Sequence, residues 1–294
     1  MPGFVCGNYS VNTTQPLSEP YSPGTAITRR LPLQTATTIG DELSAKGVNW
    51  AWYSGGWDNA AGNNGQGGRP LGLGWTNGPG PDCSDPAVLP GANTNHTYPY
   101  CPDGLFQFHH QAFNYFANFA EGGPLRSHLQ DQLDFQALAQ SSDKKTCNLK
   151  DVSFIKPIGE ENEHPGYAST YNGNADLTEL IKMIEGTSCA KDTMVVVTYD
   201  EFGGQWDHVS PPGQGNNNGP HDVWGPGTRI PALIISPHIK GHFVVDSAEH
   251  DTTSILATIE HRYGLAPLSS RDAAVNDLAT AFSAKKPKGP DGPH

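Results

Sequence analysis

Residues 193–208, "TMVVVTYDEFGGQWDH", decide how the chain is expected to fold. They begin with a continuous apolar run, which is typical of a strand buried on both faces of a parallel sheet. Two adjacent carboxylates, Asp200 and Glu201, come directly after the run, and the two glycines after them favour a tight turn. Ligands bind at the carboxyl ends of the strands in such sheets. The stretch therefore predicts a parallel strand with a candidate site at its end.

Helical and strand-like patterns alternate along the rest of the chain. Helices are predicted in "TIGDELSAKG", "PLRSHLQDQLDFQALAQ", "ADLTELIKMIEG" and "DTTSILATIEHRYG". The last of these is expected to start at an Asp251 N-cap and to end at Gly264. Strands are predicted in "VNWAWYSGGW", "VSFIKP" and "RIPALIISP", the last as a further buried parallel strand. The alternation predicts an α/β fold with a mostly parallel sheet covered on both faces.

The composition suits one large globular domain. The 294 residues are 36% hydrophobic and carry a formal net charge of -12, which argues against a nucleic-acid-binding surface. No apolar run approaches the roughly 18 residues of a membrane span, and the start "MPGFVCGNYS" lacks the pattern of an export signal. A long ordered loop is expected from Asp58 to Cys101, and a disordered tail at residues 283–294.

The five cysteines lie among loop residues, away from any spacing that binds zinc. Disulfides are the expected use, with Cys83 joined to Cys101 as a loop staple and Cys147 joined to Cys189. Cys6 would then lack a partner. Free thiols in a cytosolic protein are the alternative, because connectivity cannot be read from sequence. Disulfides favour an oxidising compartment outside the cytosol.

Asp200 and Glu201 are candidate metal ligands. Where a strand end turns into Gly203 and Gly204, two adjacent carboxylates can converge on one cation. Two hard oxygen ligands suit Mg²⁺, Ca²⁺, Mn²⁺ or iron, and a solvated strand end is the alternative.

Asp207 and His208 lie a few residues later. We interpret them as a carboxylate that orients an imidazole, which would support the metal or move a proton. A turn aspartate beside a surface histidine is the alternative.

Three histidines are further candidates. His109 and His110 lie in the aromatic stretch "FQFHHQAFNYF", where a polar side chain must be satisfied, and two together favour a site over a core histidine. His164 comes after the "VSFIKP" strand in the loop "KPIGEENEHPGYAS". A position just past a buried strand favours function, whereas a surface loop histidine is the alternative.

Five motifs succeed one another in order: "FQFHHQAFNYF", "ENEHPGY", "TYDEFGGQWDHVSPP", "GPGTRIPALIISP" and "HDTTSILATIEHRYGL". In this order they resemble the bacterial phosphoesterase family of respiratory-burst-inhibiting acid phosphatases and non-zinc phospholipases C of the phosphatidylcholine type. The resemblance covers nearly the whole chain. It implies a three-layer α/β/α sandwich like that of alkaline phosphatase, incomplete at its N-terminus, with residues 1–282 as the C-terminal portion of a single catalytic domain.

The resemblance implies metal-assisted hydrolysis of a phosphate monoester or phospholipid through a phospho-enzyme intermediate. Asp200 and Glu201 match the paired acidic ligands of one divalent metal ion, whose identity is not given. His109, His110 and His164 match histidines that surround the phosphate. A protonated imidazole binds phosphate oxygens or protonates an alkoxide leaving group, and protonation favours acidic pH.

The sequence departs from the family in one respect. The family's Glu-Asn metal ligands and its Ser/Thr nucleophile have no match, and both are expected before Met1. Thr13, Thr14 and Ser18 are not assigned as nucleophile, because their segment resembles the part of the family that lies C-terminal to the nucleophile region. Without that residue the covalent step is absent, and two carboxylates bind a metal weakly.

The sequence thus favours a secreted or periplasmic phosphoesterase with little activity from this chain alone. A non-catalytic secreted anion-binding module is the alternative from a different class. A glycosidase, suggested by the carboxylates and the Trp/Tyr-rich loops, is outweighed by the ordered motifs.

Overall fold

The structure is a computed structural model, and it describes residues 14–22, 25–61, 106–159, 161–166, 168–212, 220–222, 224–241 and 243–285. The predictions on Cys6, Cys83 and Cys101, most of the predicted Asp58 to Cys101 loop and the tail beyond residue 285 lie outside these residues.

The chain divides into two compact units, each described by itself. The first holds Met1–Ala36 and Asn49–Thr187, and the second holds Thr37–Val48 and Ser188–His294. In chain order the strands are β1 (Gln15–Pro16), β2 (Arg30–Leu31), β3 (Trp50–Ser54), β4 (Leu129–Asp131), β5 (Val152–Lys156), β6 (Val195–Thr198) and β7 (Ala232–Ile235). The α-helices are α1 (Ile39–Ala45), α2 (Trp57–Ala61), α3 (Gln132–Gln140), α4 (Thr170–Glu185) and α5 (Thr253–Tyr263).

The first unit is built on a parallel three-stranded sheet in the order β4-β3-β5. In the central strand, Trp52 pairs with Leu129 on one side and with Phe154 on the other. β1 and β2 form a second parallel pair. Strands paired in parallel and separated by helices confirm the predicted α/β class with a mostly parallel sheet.

Trp50 lies at the centre of the core of the first unit, where it is fully buried. Its ring stacks on His128 with 4.5 Å between the ring centroids, and it contacts Phe113 at 5.1 Å and Phe119 at 5.9 Å. The His128 ring donates from Nδ1 to the Trp50 carbonyl oxygen over 2.8 Å, because a carbonyl only accepts. These contacts hold β3 in place through both its backbone and its side chain.

The helix predicted in "PLRSHLQDQLDFQALAQ" is wrong in its first half. Leu129 lies in β4, and α3 begins only at Gln132. Leucines spaced four residues apart also share one face of a strand, and pairing with β3 decides between the two.

Asp131 marks where this helix starts. Its carboxylate accepts from the Leu133 N–H over 3.0 Å, and the Asp134 carboxylate accepts from the Asp131 N–H over 3.1 Å. This reciprocal arrangement satisfies two N–H groups at the helix start.

The strand predicted in "RIPALIISP" is present, but its prediction as a buried parallel strand is wrong. β7 pairs with β6 in the antiparallel direction, with Val195 opposite Ile235 and Thr198 opposite Ala232. β6 is half-buried and Leu233 of β7 is 53% exposed. A short apolar run is compatible with parallel and with antiparallel pairing, so the direction of β7 is determined by the tertiary structure.

The helix ends of the second unit agree closely with the sequence. Gly264 adopts the left-handed conformation at the end of α5, with φ 62°, as its predicted role requires. The helix is entered through Thr252, one residue later than predicted. The Asp251 carboxylate nevertheless accepts from the Thr253 N–H over 2.7 Å and so satisfies a donor of the first turn.

Glu260 and Asp272 form a carboxyl pair inside the second unit, and each is 1% exposed. Burial, followed by the hydrogen bond and charge of Asp272, raises the pKa of Glu260 to about 7. Burial acts in the same direction on Asp272, but hydrogen bonds from Ser269 and Glu260 outweigh it and lower the pKa of that carboxyl. Below about pH 7, Glu260 therefore keeps its proton beside the ionised Asp272.

Replacing Glu260 with Gln is expected to remove a pH dependence of stability. The folded state keeps a proton on Glu260 that the unfolded state releases above its ordinary pKa of 4.5, so this stabilisation is complete below pH 4.5 and is lost as the pH rises to about 7. Between about pH 5 and pH 8, we expect wild type to lose on the order of 2 kcal/mol relative to Glu260→Gln in urea unfolding. Glu185→Gln, which changes an exposed helix carboxylate, serves as the control. If the free energy of unfolding changed with pH in the same way for wild type and Glu260→Gln, Glu260 would not be the source of the pH dependence.

Cys147 and Cys189 are both disulfide-bonded, which confirms that the protein uses these cysteines in disulfides. Within the described part of the chain, no helix is both long enough and apolar enough to cross a bilayer.

Candidate active site

Asp200 and Glu201 follow β6 after one intervening residue, Tyr199, and both are exposed. Gly203 and Gly204 adopt left-handed conformations, with φ 65° and 68°, which turn the chain back as the sequence predicts. The Gly203 N–H donates to Glu201 Oε2 over 2.7 Å. One carboxylate is thus held by the turn that the glycines make.

The type of donor at this turn fits a divalent cation, because carboxylate oxygens are hard ligands. Two carboxylates do not complete the coordination sphere of a divalent cation. The described residues contain no group of three or more His, Cys, Asp or Glu side chains placed to hold a metal. A cation bound by Asp200 and Glu201 would need ligands from beyond those residues.

Asp207 makes its closest ionic contacts with Arg229. Arg229 donates to the two oxygens of Asp207 from Nε over 2.7 Å and from Nη2 over 2.9 Å. Hydrogen bonds from Arg229 and from the Val209 backbone hold the pKa of Asp207 far below its ordinary value. His208 lies farther away, with 3.5 Å between its Nδ1 and Asp207 Oδ1, and its side chain is 77% exposed. Asp207 is therefore ionised and faces a guanidinium more closely than the neighbouring imidazole.

A cavity of about 450 Å³ opens beside this ion pair. The residues that line it come from the turn after β6 and from the segment before β7. They are Phe202, Gln205, Trp206, Asp207, His208, Thr228, Arg229, Ile230 and Pro231. Four of these residues are apolar and five are polar or charged, so the lining is mixed.

His109 and His110 lie in the 3-10 helix Phe108–His110 of the first unit. Both are half-buried, and their ring centroids are 4.5 Å apart. Phe108 is buried against Phe106, which anchors the segment. Gln111 is the next residue and is fully buried, yet neither its Nε2 nor its Oε1 finds a hydrogen-bond partner among the described residues. Gln111 directly follows the two histidines in the chain, and a buried amide of this kind is stabilised when a polar group reaches it.

His164 lies in the loop after β5, at the carboxyl end of the parallel sheet of the first unit. The imidazole is exposed, and its Nδ1 lies 2.7 Å from the Pro165 carbonyl oxygen, to which it donates. The preceding residue, Glu163, has a φ of 61°, a conformation that a non-glycine residue rarely adopts. A Cβ on Gly173 of α4 would collide with the Glu163 side chain, so the loop packs closely against that helix. Strained loops of this kind are concentrated at functional sites.

The structure groups the predicted residues by unit. His109, His110 and His164 belong to the first unit, whereas Asp200, Glu201, Asp207 and His208 belong to the second.

Sequence reasoning missed Arg229, which precedes β7. The antiparallel register pairs Thr198 with Ala232, so the chain before β7 runs back along the residues just after β6. Had the antiparallel direction been recognised, an arginine at that place would have been expected to meet the acidic turn.

Comparison with known proteins gives a family for these residues. The sequence model described as the Phosphoesterase family matches residues 5–266. The match includes every candidate residue named above and most of the chain.

Curated relatives are similar to parts of the chain. Phospholipase C B of Mycobacterium tuberculosis (strain CDC 1551 / Oshkosh) is 30% identical over 187 residues, which cover 55% of this chain and 34% of that protein. Non-hemolytic phospholipase C of Burkholderia pseudomallei is 30% identical over 210 residues, 60% of this chain and 30% of that protein. Non-specific phospholipase C6 of Arabidopsis thaliana is 31% identical over 138 residues, 40% and 26% respectively. The alignments span about a third of these relatives or less.

Proposed function

Because the chain belongs to the phosphoesterase family, we propose that it carries part of the active site of a phosphoric ester hydrolase. The observation that supports this most directly is the glycine turn at the end of β6, which presents Asp200 and Glu201 together and fixes one of them through the Gly203 N–H. Adjacent carboxylates at a strand end are well suited to hold a cation that offsets the charge of a phosphate.

We assign Asp200 and Glu201 as two ligands of one divalent metal ion. When bound, such an ion supplies Lewis-acid stabilisation to a phosphoryl oxygen. The carboxylates are exposed, so a hydrated cation can reach them without a change in the core. Both carboxylate oxygens of Asp207 accept hydrogen bonds from Arg229. We therefore assign Asp207 to stabilising the turn that carries the two metal ligands.

We assign His109, His110 and His164 to the phosphate. Imidazoles donate hydrogen bonds to phosphate oxygens and, when protonated, add positive charge. The buried Gln111 amide beside the histidine pair supports a polar ligand at that place. The strained backbone before His164 supports a functional role for its loop. Protonation of these side chains would favour activity at acidic pH.

The substrate is proposed to be a phosphate monoester or a phospholipid, since relatives of this chain are named phospholipase C. The protein is incubated with p-nitrophenyl phosphate and with dihexanoyl phosphatidylcholine, with Mn²⁺, Mg²⁺ or Ca²⁺, across acidic to alkaline pH. Because the chain carries part of the site, slow release of p-nitrophenol or of phosphocholine is expected, and the product tells the two substrate classes apart. Binding of phosphate without turnover of either ester would indicate the non-catalytic anion-binding module instead. If the protein neither binds phosphate nor hydrolyses either ester, the hydrolase and the anion-binding module are both contradicted.

We also propose that the protein acts in a secreted or periplasmic location. The disulfide-bonded state of Cys147 and Cys189 supports this, because disulfides persist in oxidising compartments. Thiol alkylation of protein isolated from its native source, followed by mass spectrometry, tests it. Unmodified Cys147 and Cys189 are expected, and alkylation of both without reduction would contradict the proposal.

A further inference from the structure

The residues that follow α5 fold back against that helix. Residues 276–283, which we call the strap, contain the 3-10 helix Leu278–Ser283. The Leu278 N–H donates to Thr258 Oγ1 of α5 over 2.9 Å, and the side chains of Leu278 and Ala281 are buried. The strap is therefore packed on α5 within the second unit, and the proposed hydrolysis gives it no role.

His250, just before α5, has an oxygen acceptor at each of its ring nitrogens. Nδ1 lies 3.3 Å from the carbonyl oxygen of Asn276 in the strap, and Nε2 lies 3.2 Å from Oδ2 of Asp246. Carbonyl and ionised carboxylate oxygens only accept hydrogen bonds. Both contacts are made together when both nitrogens carry a proton, which is the imidazolium form. The side chain is 20% exposed, so these contacts are partly shielded from water.

Asp246 is held in its ionised form. Burial alone would raise the pKa of Asp246, but hydrogen bonds from Thr280, from the Ala248 N–H and from His250 outweigh burial and lower that pKa. Thr280 of the strap donates from Oγ1 to Asp246 Oδ2 over 2.5 Å, and the same oxygen faces His250. One carboxylate oxygen thus joins His250 to the strap.

Each neutral form of the imidazole gives up a contact. With its proton on Nε2, the ring loses the hydrogen bond to the Asn276 carbonyl oxygen. With its proton on Nδ1, the ring turns an unprotonated nitrogen towards the ionised Asp246. Thr280 Oγ1 lies 3.1 Å from Nε2 and can donate to it, but it then leaves Asp246. The imidazolium is the form that satisfies His250, Asp246 and the strap together.

The other charged groups of this part of the second unit have partners of their own. His221 Nε2 lies 2.5 Å from Oε1 of Glu249, the residue before His250. Arg271 donates to both oxygens of Asp222, and its Nη1 lies 3.6 Å from Asp251 Oδ2. Among the described residues, Asp246 is therefore the carboxylate placed to hold a charge on His250.

Two contacts of α5 respond to pH in the same direction. Glu260 is hydrogen-bonded to Asp272, which lies before the strap, and His261 Nδ1 lies 2.6 Å from Asp277 Oδ2 in the strap. The His261 side chain is 61% exposed, and an exposed ion pair contributes little. His250 is therefore expected to dominate the response of the strap.

We propose that His250 is a pH-operated latch, which holds the strap against α5 as the imidazolium and loosens it on losing a proton. Histidine changes charge between about pH 5 and pH 8. A folded state that favours the protonated ring is stabilised in acid, and this contribution is lost as the pH rises. The latch concerns the response of the fold to pH and does not depend on the proposed hydrolysis.

Hydrogen exchange measured by mass spectrometry, at about pH 5 and about pH 8, tests the latch. Exchange rates are divided by the intrinsic rate at each pH, and peptides of β6 in the same unit are the reference. In the wild type, protection of the strap is expected to fall about 10-fold from acid to alkaline pH, because hydrogen bonds to charged groups are lost. His250→Gln should reduce this change to less than about 2-fold, since an amide keeps one charge state. An unchanged response in His250→Gln, or equal protection of the wild-type strap at both pH values, would overturn the inference.

His238→Gln is the matched control. His238 belongs to the same unit, is 62% exposed, and has its Nε2 3.9 Å from Asp192 Oδ1. This variant should keep the fall of about 10-fold in strap protection, because an exposed pair contributes little. A response reduced as far as in His250→Gln would count against a specific role for His250.

Asp246→Asn distinguishes a latch from a contact that is merely structural. Its amide nitrogen takes the place of Oδ2 and donates to the neutral Nε2 of His250, while its oxygen still accepts from the Ala248 N–H, as Oδ1 does over 3.0 Å. The fall from acid to alkaline pH is expected to disappear, with the strap at about pH 8 at least as protected as in the wild type. A strap less protected than in the wild type at that pH, or the wild-type fall in this variant, would contradict the latch.

Discussion

The double variant Asp200→Asn with Glu201→Gln is expected to bind Mn²⁺ at least about 100-fold more weakly than the wild type. The amides keep the shape of the turn but remove both negative charges, and a hard divalent cation depends on charged oxygen ligands. The Glu201→Gln side chain still offers an oxygen to the Gly203 N–H, so the turn itself is preserved. Calorimetric titration of the protein with Mn²⁺ gives the two affinities.

The matched control for this variant is Asp192→Asn. Asp192 is a carboxylate of the same unit with a side chain that is 93% exposed, and it lies before β6 rather than after it. Its removal changes the net charge without touching the strand end, so Mn²⁺ affinity should change less than about 2-fold at moderate salt. Equal affinity of the wild type and the double variant would show that the strand-end carboxylates are not metal ligands.

Trp50→Ala is expected to destabilise the protein by about 3–5 kcal/mol. The ring is fully buried at the centre of the β4-β3-β5 sheet, stacks on His128 and contacts Phe113 and Phe119. Truncation leaves a cavity between aromatic rings that pack against one another, so it cannot close without moving strands. Urea unfolding, monitored by circular dichroism, measures the loss in free energy of unfolding.

Trp224→Ala provides the comparison, because the same atoms are removed from an exposed position. Its effect should stay within about 0.5 kcal/mol. If Trp50→Ala cost no more than this control, Trp50 would not be the centre of the core. A second variant, Trp50→Phe, keeps one aromatic ring in place and should recover part of the loss.

Much of the fold was predictable because its signals are local. The left-handed glycine that ends α5 and the glycine turn after β6 lie where the sequence places them, since few other residues adopt such backbone conformations. β3 and β5 were found from short apolar runs bounded by turn residues.

The errors arose where partners distant in sequence decide the structure. Leu129 fits a helical repeat, but hydrogen bonding to β3 places it in a strand. The apolar run of β7 gives no information on direction, and its antiparallel pairing with β6 came from the tertiary structure. The Asp131 and Asp134 capping pair was a local signal that would have placed the start of α3 correctly.

The candidate site divides in the same way. The position of Asp200 and Glu201 between a strand end and a glycine turn was predictable, because both signals are visible in the sequence. Arg229 was not found, since its contact with Asp207 depends on the antiparallel pairing. The exposed walls of the cavity carry no periodic signal, because residues in turns are free of the helix and strand repeats.

Metal-dependent release of the alcohol from a phosphate ester, compared between wild type and the Asp200→Asn, Glu201→Gln variant, tests the central claim most directly. Wild type, which carries part of the site, is expected to hydrolyse p-nitrophenyl phosphate or dihexanoyl phosphatidylcholine slowly with added Mn²⁺ and to stop when EDTA is present. The double variant should lose at least about 100-fold in kcat/KM, while Asp192→Asn keeps the wild-type rate. Turnover that survives both EDTA and the loss of the two carboxylates would contradict the assignment of this strand end as the metal site of a phosphoesterase.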